Sequence, residues 1–329
     1  MNGFVNPVTA FCGKTLAKRL RLCYNEDNNF RMRDEVFFMK ISELLARDGL
    51  SISFEVFPPK TDTAFESVKA ATEEIADLKP AFVSVTYGAG GGTSQYTLEI
   101  AKTIKQAHGV PTLAHLTCVS STRETVRARI ADMKAAGIEN VMALRGDIPA
   151  DMQGMDRSGW PYRYAVDLVR ELKESGAGFC IGGACYPEVH PESAHQKEDI
   201  RYLKEKVDAG VEFLTTQMFF DNNLLYNFLY KIREAGITVP VVPGIMPITA
   251  GNQVARAIQL SGSFMPRRFV SLVDKFGSNP AAMKQAGIAY ATDQIIDLYA
   301  NGVKNVHVYT MNKPDVARKI LENLSEILT

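Results

Sequence analysis

The chain has 329 residues, nearly half of them apolar, and its 37 basic side chains balance 37 acidic ones to leave no net charge. A balanced surface argues against a nucleic-acid or anionic-membrane partner, both of which need a basic patch, and no apolar run approaches the roughly 18 residues of a membrane span. The five cysteines (Cys12, Cys23, Cys118, Cys180, Cys185) are scattered with no C-x-x-C pair, as expected of reduced thiols in a cytosolic protein.

Residues 1–38 mix basic, acidic and amide side chains without sustained periodicity and lack the apolar core of a secretory signal. They read as a disordered or non-native extension ahead of Met39, leaving 39–329 as one catalytic domain. From Ser51 onward short β-rich runs alternate with helical patterns. The predicted strands are Ser51–Phe57, Phe82–Gly88, Pro111–Cys118, Asn140–Asp147, Phe179–Pro187, Phe213–Phe220, Val239–Pro247 and Val306–Met311. Helical patterns lie near 65–79, 94–108, 122–136, 163–175, 195–209, 222–235, 251–260 and 314–328, and 266–302 reads as extra helix before the eighth strand. Alternation of this kind implies parallel strands joined by helical crossovers, and eight such units close a (β/α)8 TIM barrel. Asp62 and Thr63 with Glu66 resemble a capping box at the first crossover helix. The junctions Ala136-Gly137, Ala209-Gly210 and Ala235-Gly236, each followed by Ile or Val, mark helix ends leading into strands. An open doubly wound sheet is the weaker reading. The one glycine cluster, Gly88 to Gly92, follows the second strand and misses the dinucleotide fingerprint.

In a barrel of this kind functional groups come from the carboxyl ends of strands. Polar residues gather there: Glu55, Thr86 and Tyr87, His115 and Thr117, Arg145 to Asp147, Tyr186 and His190, Gln217, and Tyr309. Two-residue alternation sets Ser53, Glu55 and Phe57 on one face and the apolar Ile52, Phe54 and Val56 on the other, so Glu55 is expected to point into the barrel. Among aromatic and aliphatic neighbours such a carboxyl would serve as a general acid near neutral pH; a structural ion pair is the competing reading. Asp147, taken alone, reads as a loop cap. His190, His195 and Cys185 have no common zinc spacing, so no metal is expected. No nucleophile-elbow or catalytic-cysteine signature is present.

The blocks SFEVFPPK (53–60), VSVTYGAGGGT (83–93), AHLTC (114–118), ALRGD (143–147), CYPEVHPE (185–192), TTQMFF (215–220), VPGIMP (242–247) and HVYTMNK (307–313) together resemble the methylenetetrahydrofolate reductase family in its short bacterial form. They run in family order from about residue 40 to the end. The resemblance implies a flavoenzyme that carries FAD, takes a hydride from NADH or NADPH, and reduces 5,10-methylenetetrahydrofolate to 5-methyltetrahydrofolate in ping-pong fashion.

The resemblance also implies site roles. Glu55 matches the family acid that protonates the folate, and Asp147 the carboxylate beside flavin and pterin. Thr86, Tyr87, Ala89, His115, Arg145, Gly146, Asp147, Tyr164, Ala165, Tyr186, His190, Asp199, Tyr202 and Lys206 would contact FAD. Gln217, Gln253, Tyr309 and Lys313 would hold folate, with Lys313 standing where relatives carry Arg. Family members use an aromatic after the seventh strand as a stacking plate, whereas 248–263 reads ITAGNQVARAIQLSGS without one. That departure keeps in view a subunit fed electrons by a partner protein; a colourless one-carbon transferase on the same barrel is a separate alternative. A homo-oligomer is compatible with either.

Overall fold

The computed structural model describes residues 39–59, 61–87 and 94–328. The N-terminal 1–38, the glycine cluster at 88–93 and with it Ala89 lie outside the described residues. Nine strand segments are present: β1 (Ser51–Val56), β2 (Val83–Val85), β3 (Thr112–Thr117), β4 (Asn140–Leu144), β5 (Cys180–Cys185), β6 (Phe213–Thr216), β7 (Val241–Val242), β8 (Gly244–Ile245) and β9 (Asn305–Tyr309). A short helix, α1 (Ile41–Leu44), precedes β1. The crossovers after β1 to β6 carry α2 (Phe65–Asp77), α3 (Ser94–His108), α4 (Arg123–Ala135), α5 (Ala165–Glu174), α6 (Gln196–Asp208) and α7 (Asn222–Glu234) in turn. Three helices, α8 (Gln253–Ser261), α9 (Arg267–Phe276) and α10 (Pro280–Ala300), stand between β8 and β9, and α11 (Pro314–Asn323) follows β9.

All pairings are parallel, in the order β7-β6-β5-β4-β3-β2-β1-β9-β8. The two ends of that list are one stave of a barrel, interrupted by Pro243. Proline has no N–H to give a ladder, so the predicted single strand Val239–Pro247 breaks there. Its first half pairs with β6 and its second with β9, while the Pro243 carbonyl accepts from the His307 N–H at 2.8 Å. The stave thereby joins both neighbours and brings the ring of eight to closure. Gly244 makes this possible, because a Cβ there would press on the Tyr309 hydroxyl and the Thr216 carbonyl.

Alternation sorts the side chains. Phe82, Leu113, Met142, Cys180, Phe213 and Val242 fill the axis at the amino-terminal end, and α1 seals it with Ile41, Leu44 and Leu45. Asn140 pins that seal: its Oδ1 accepts from Ile41 N at 2.8 Å and its Nδ2 donates to Met39 O and Thr112 O. The opposite parity, including Ile52, Phe54, Val56, Val85 and Leu116, packs beneath the helices. The capping box expected at Thr63 is a correction. Residues Asp62–Ala64 form a 3-10 turn, α2 begins at Phe65 with no side-chain cap, and the Thr63 hydroxyl bonds Thr61 instead. The Ala-Gly junctions behave as read, with Gly137 and Gly236 left-handed at φ 72° and 75°. Cys118, Cys180 and Cys185 are free and buried, and burial pushes the Cys118 and Cys185 thiols up to about 12. No helix among the described residues is long and apolar enough to cross a membrane.

Candidate active site

Glu55 lies on the axial face of β1, as alternation requires, its side chain 18% exposed at the carboxyl end of the barrel. Its surroundings differ from those expected. In place of an apolar pocket, Oε2 faces Ser84 Oγ at 3.5 Å, His115 Nε2 at 3.8 Å and His307 Nε2 at 3.9 Å. The reason is register: Ser84 of β2 sits directly beside Glu55, and β9 brings His307 beside Ser53 one axial position below. Burial pulls the His115 imidazole down to about 4, against the opposing charge of Glu55 and with some help from His307. His115 is therefore neutral at physiological pH, and its Nε2 is buried without a hydrogen-bond partner.

A second cluster forms after β4 and β5. The Arg145 carbonyl accepts from Cys118 N and Val119 N, and Gly146 turns at φ +88°, where a Cβ would meet Thr117 and Val119 at 3.0 Å. Glycine is thus required both by the turn and by the closeness of β3. The Arg145 guanidinium holds Glu192 at 2.7 Å, an ion pair that raises its pKa. Asp147 is exposed, close enough to act electrostatically on Arg145 and on Tyr186, whose phenol burial pushes up. Tyr186 meets the His190 ring edge-on at 4.6 Å. The His190 backbone N–H donates to Asp199 at 3.0 Å, and burial lowers the His190 imidazole. Lys206 is half-buried alongside, its ammonium on the Ala184 carbonyl and its pKa lowered by desolvation, while burial raises that of Asp199. Outside this cluster Tyr164 and Tyr202 are half exposed and stack with ring centres 6.4 Å apart. Ala165 opens α5 beside them, where Asp167 accepts from the Tyr164 N–H.

The remaining candidates sit around β6, α8 and β9. Gln217 accepts from its neighbour Met218 N at 2.9 Å, and Tyr309 donates to the Thr216 carbonyl at 2.5 Å. Gln253 accepts from Thr249 N and Ala250 N, and Lys313 donates to the Thr249 hydroxyl at 2.8 Å. Thr86 follows β2 with its carbonyl held by Thr97. Tyr87 follows Val83 and Val85 on the outer parity and lines a groove between α3 and α4 with Leu98 and Met133. Ser53, Ser84 and His307 were not among the predicted site residues, although alternation from Glu55 and Tyr309 gives their facing. Among the described residues no cluster of His, Cys, Asp or Glu is arranged to hold a metal, and His195 caps α6 by accepting from Glu198 N.

A family model described as methylenetetrahydrofolate reductase matches residues 40–325, a span containing every described candidate from Glu55 to Lys313. The chain belongs to the methylenetetrahydrofolate reductase family. It is 37% identical over 290 residues to the 5,10-methylenetetrahydrofolate reductase of Pectobacterium carotovorum, covering 88% of this chain and 94% of that one. The Escherichia coli 5,10-methylenetetrahydrofolate reductase is 37% identical over 275 residues, 84% and 90% of the two chains. A Zea mays relative named methylenetetrahydrofolate reductase (NADH) 1 is 35% identical over 88% of this chain, which spans half of the plant protein's length. Among solved structures, a Clostridium thermocellum protein described as binding two copies of 5-methyl-5,6,7,8-tetrahydrofolic acid superposes with a TM-score of 0.64. At 13% identity it covers 87% of this chain and 99% of its own. That likeness supports the barrel fold. Membership of this family makes the chain an oxidoreductase.

Proposed function

We propose that this methylenetetrahydrofolate reductase-family chain reduces 5,10-methylenetetrahydrofolate to 5-methyltetrahydrofolate, with FAD as its resident cofactor and NAD(P)H as reductant. The observation that carries the reading is Glu55, an acid on the inner face at the open end of the barrel, in a chain whose bacterial relatives bear that enzyme name. The chemistry FAD supplies when bound is two-electron hydride transfer, which no side chain performs.

The residues present fit such a group. His115 Nε2 is a buried polar atom lacking a partner within the protein, and a planar heterocycle edge would complete it. Arg145 and the half-buried Lys206 would supply positive charge for phosphates, and Gly146 keeps backbone open where a side chain would collide with β3. Glu55 would give its proton to the folate's bridging nitrogen, opening the five-membered ring to a cationic iminium. Asp147 would stabilise that cation as a carboxylate. Gln217 and Gln253, their amide oxygens held by neighbouring backbone, would present fixed amides to the pterin. Lys313, braced on Thr249, would meet the glutamate tail as a point charge.

NADH is the favoured reductant, since the plant relatives carry it in their names. One observation favours a second reading: 248–263 holds no aromatic to stack a nicotinamide, which suits electrons delivered by a partner protein. Purified protein under anaerobic conditions tests both. Bleaching of a yellow protein by NADH or NADPH, and recolouring on methylenetetrahydrofolate, is expected. Absence of any bound flavin overturns the proposal. Recolouring by folate after chemical reduction, with no bleaching by either nucleotide, selects the second reading.

A further inference from the structure

Inside the barrel β9 inserts His307 between a serine of β1 and a serine of β2. The residue is 2% exposed; Nδ1 lies 2.8 Å from Ser53 Oγ and Nε2 lies 2.9 Å from Ser84 Oγ. Ser53 Oγ also stands 3.1 Å from the Val306 carbonyl, which can only accept. A hydroxyl has one proton, so a Ser53 that donates to Val306 must receive from Nδ1–H. With Ser53 donating to Val306, Nδ1 carries the ring hydrogen, and Nε2 is left facing Ser84. On that side Ser84 Oγ bridges Nε2 and Glu55 Oε2, which are themselves 3.9 Å apart.

Two protonation patterns now satisfy every donor along this line without moving a heavy atom. In the first, the Glu55 carboxyl O–H donates to Ser84 Oγ and the Ser84 hydroxyl donates to Nε2. In the second, Nε2–H donates to Ser84 Oγ and the Ser84 hydroxyl donates to the Glu55 carboxylate. Passing from first to second breaks the Glu55 O–H and the original Ser84 O–H. It forms a new Ser84 O–H and an Nε2–H, and the charge summed over the three residues is unchanged.

We infer that Glu55 and His307 share one proton through Ser84, so that a buried imidazole, in place of the apolar pocket the sequence suggested, keeps the acid supplied. Other groups facing His307 leave that proton alone. His115 is held neutral by its burial, with a pKa of about 4, and burial raises the Tyr309 phenol well above its ordinary value. Phe82 stacks on the imidazole with ring centres 5.6 Å apart and offers no polar atom. Glu55 is the carboxylate within 4 Å of His307 among the described residues. In the second pattern the imidazole carries the proton and the carboxylate accepts through Ser84, so the proton belongs to the pair and not to Glu55 alone. His307 and Ser84 are positioning residues here, acting on substrate through Glu55. The value of this sharing to catalysis rests on the proposed role of Glu55; the sharing itself does not.

The test is ring-nitrogen NMR of the full chain with 15N-labelled histidine, from about pH 5 to about pH 9. Neutral His307 is expected as the Nδ1–H tautomer, with Nε2 titrating. In Glu55→Gln its midpoint should fall by about one pH unit or more. Ser84→Ala should produce a similar fall, and Ser84→Thr, which keeps the hydroxyl, should restore it. A neutral Nε2–H tautomer, or a midpoint that ignores both Glu55→Gln and Ser84→Ala, overturns the inference. As a kinetic readout, His307→Gln should move the alkaline limit of folate reduction to lower pH while reduction by the nicotinamide nucleotide keeps its rate. A limit unmoved in both His307→Gln and Ser84→Ala also overturns it. Because NMR needs no turnover, loss of coupling with folate reduction intact removes this inference alone. Intact coupling in a chain that cannot reduce folate removes the proposed function alone.

Discussion

Replacing Asn140 by Ala would unfasten the closed end of the barrel. Asn140 is fully buried, and its amide makes three bonds: one accepted from Ile41 N at 2.8 Å and two donated, to Met39 O at 3.2 Å and Thr112 O at 3.1 Å. The two carbonyls have lone pairs that can turn to other donors, but the Ile41 N–H opens a four-residue helix, which offers it no partner of its own. Leaving it buried and unpaired costs about 1–3 kcal/mol. The space left by the amide group adds on the order of 1 kcal/mol, so a loss of about 2–4 kcal/mol is expected. Urea unfolding monitored by far-UV circular dichroism measures it. Hydrogen exchange at the Ile41 amide should quicken in step, since Ile41, Leu44 and Leu45 plug the same cluster as Phe82 and Phe213. A loss below about 0.5 kcal/mol, with Ile41 exchange unchanged, would refute the view that this one amide holds α1 against the barrel.

Gly244→Ala sets a methyl 2.5 Å from the Thr216 carbonyl oxygen and against the Tyr309 hydroxyl. Overpacking and loss of the Tyr309–Thr216 bond should together cost about 2–5 kcal/mol; wild-type stability in urea would mean that the seventh stave is not closed as tightly as described. Acid should weaken the fold through His115, whose pKa drops to about 4 on burial. The unfolded chain takes up that proton below ~6.5, so stability from the neutral imidazole is complete above that value and is lost as pH falls toward 4, on the order of 3 kcal/mol. His115→Gln, with nothing to titrate, should lose less between pH ~6.5 and ~4, and equal losses in thermal unfolding would assign the acid sensitivity elsewhere.

What was legible in the sequence follows from what alternation and punctuation encode. Eight β-rich runs separated by helical ones gave the barrel, and the wholly apolar Ile52, Phe54 and Val56 placed Glu55 on the axis. Pro243 carried its own warning, since a proline inside a paired strand has no ladder bond to give; only the three-dimensional ring shows that the break is where the stave changes partners. The polar shell around Glu55 was not legible. That Ser84 and His307 flank it depends on the registers of β2 and β9, elements 29 and more than 250 residues away along the chain, and nothing local sets a register of that range. The outward facing of Tyr87 was readable from Val83 and Val85 by the same alternation.

The claim on which the rest depends is that Glu55 delivers the proton in folate reduction. Anaerobic stopped-flow of the pre-reduced protein mixed with methylenetetrahydrofolate isolates that step, and mixing the oxidised protein with NADH isolates the other. In Glu55→Gln the folate step should slow by about 10²–10⁴-fold, with flavin content and reduction by NADH left as in the wild type. Equal slowing of the two steps, or a folate step that keeps its rate, would contradict the assignment.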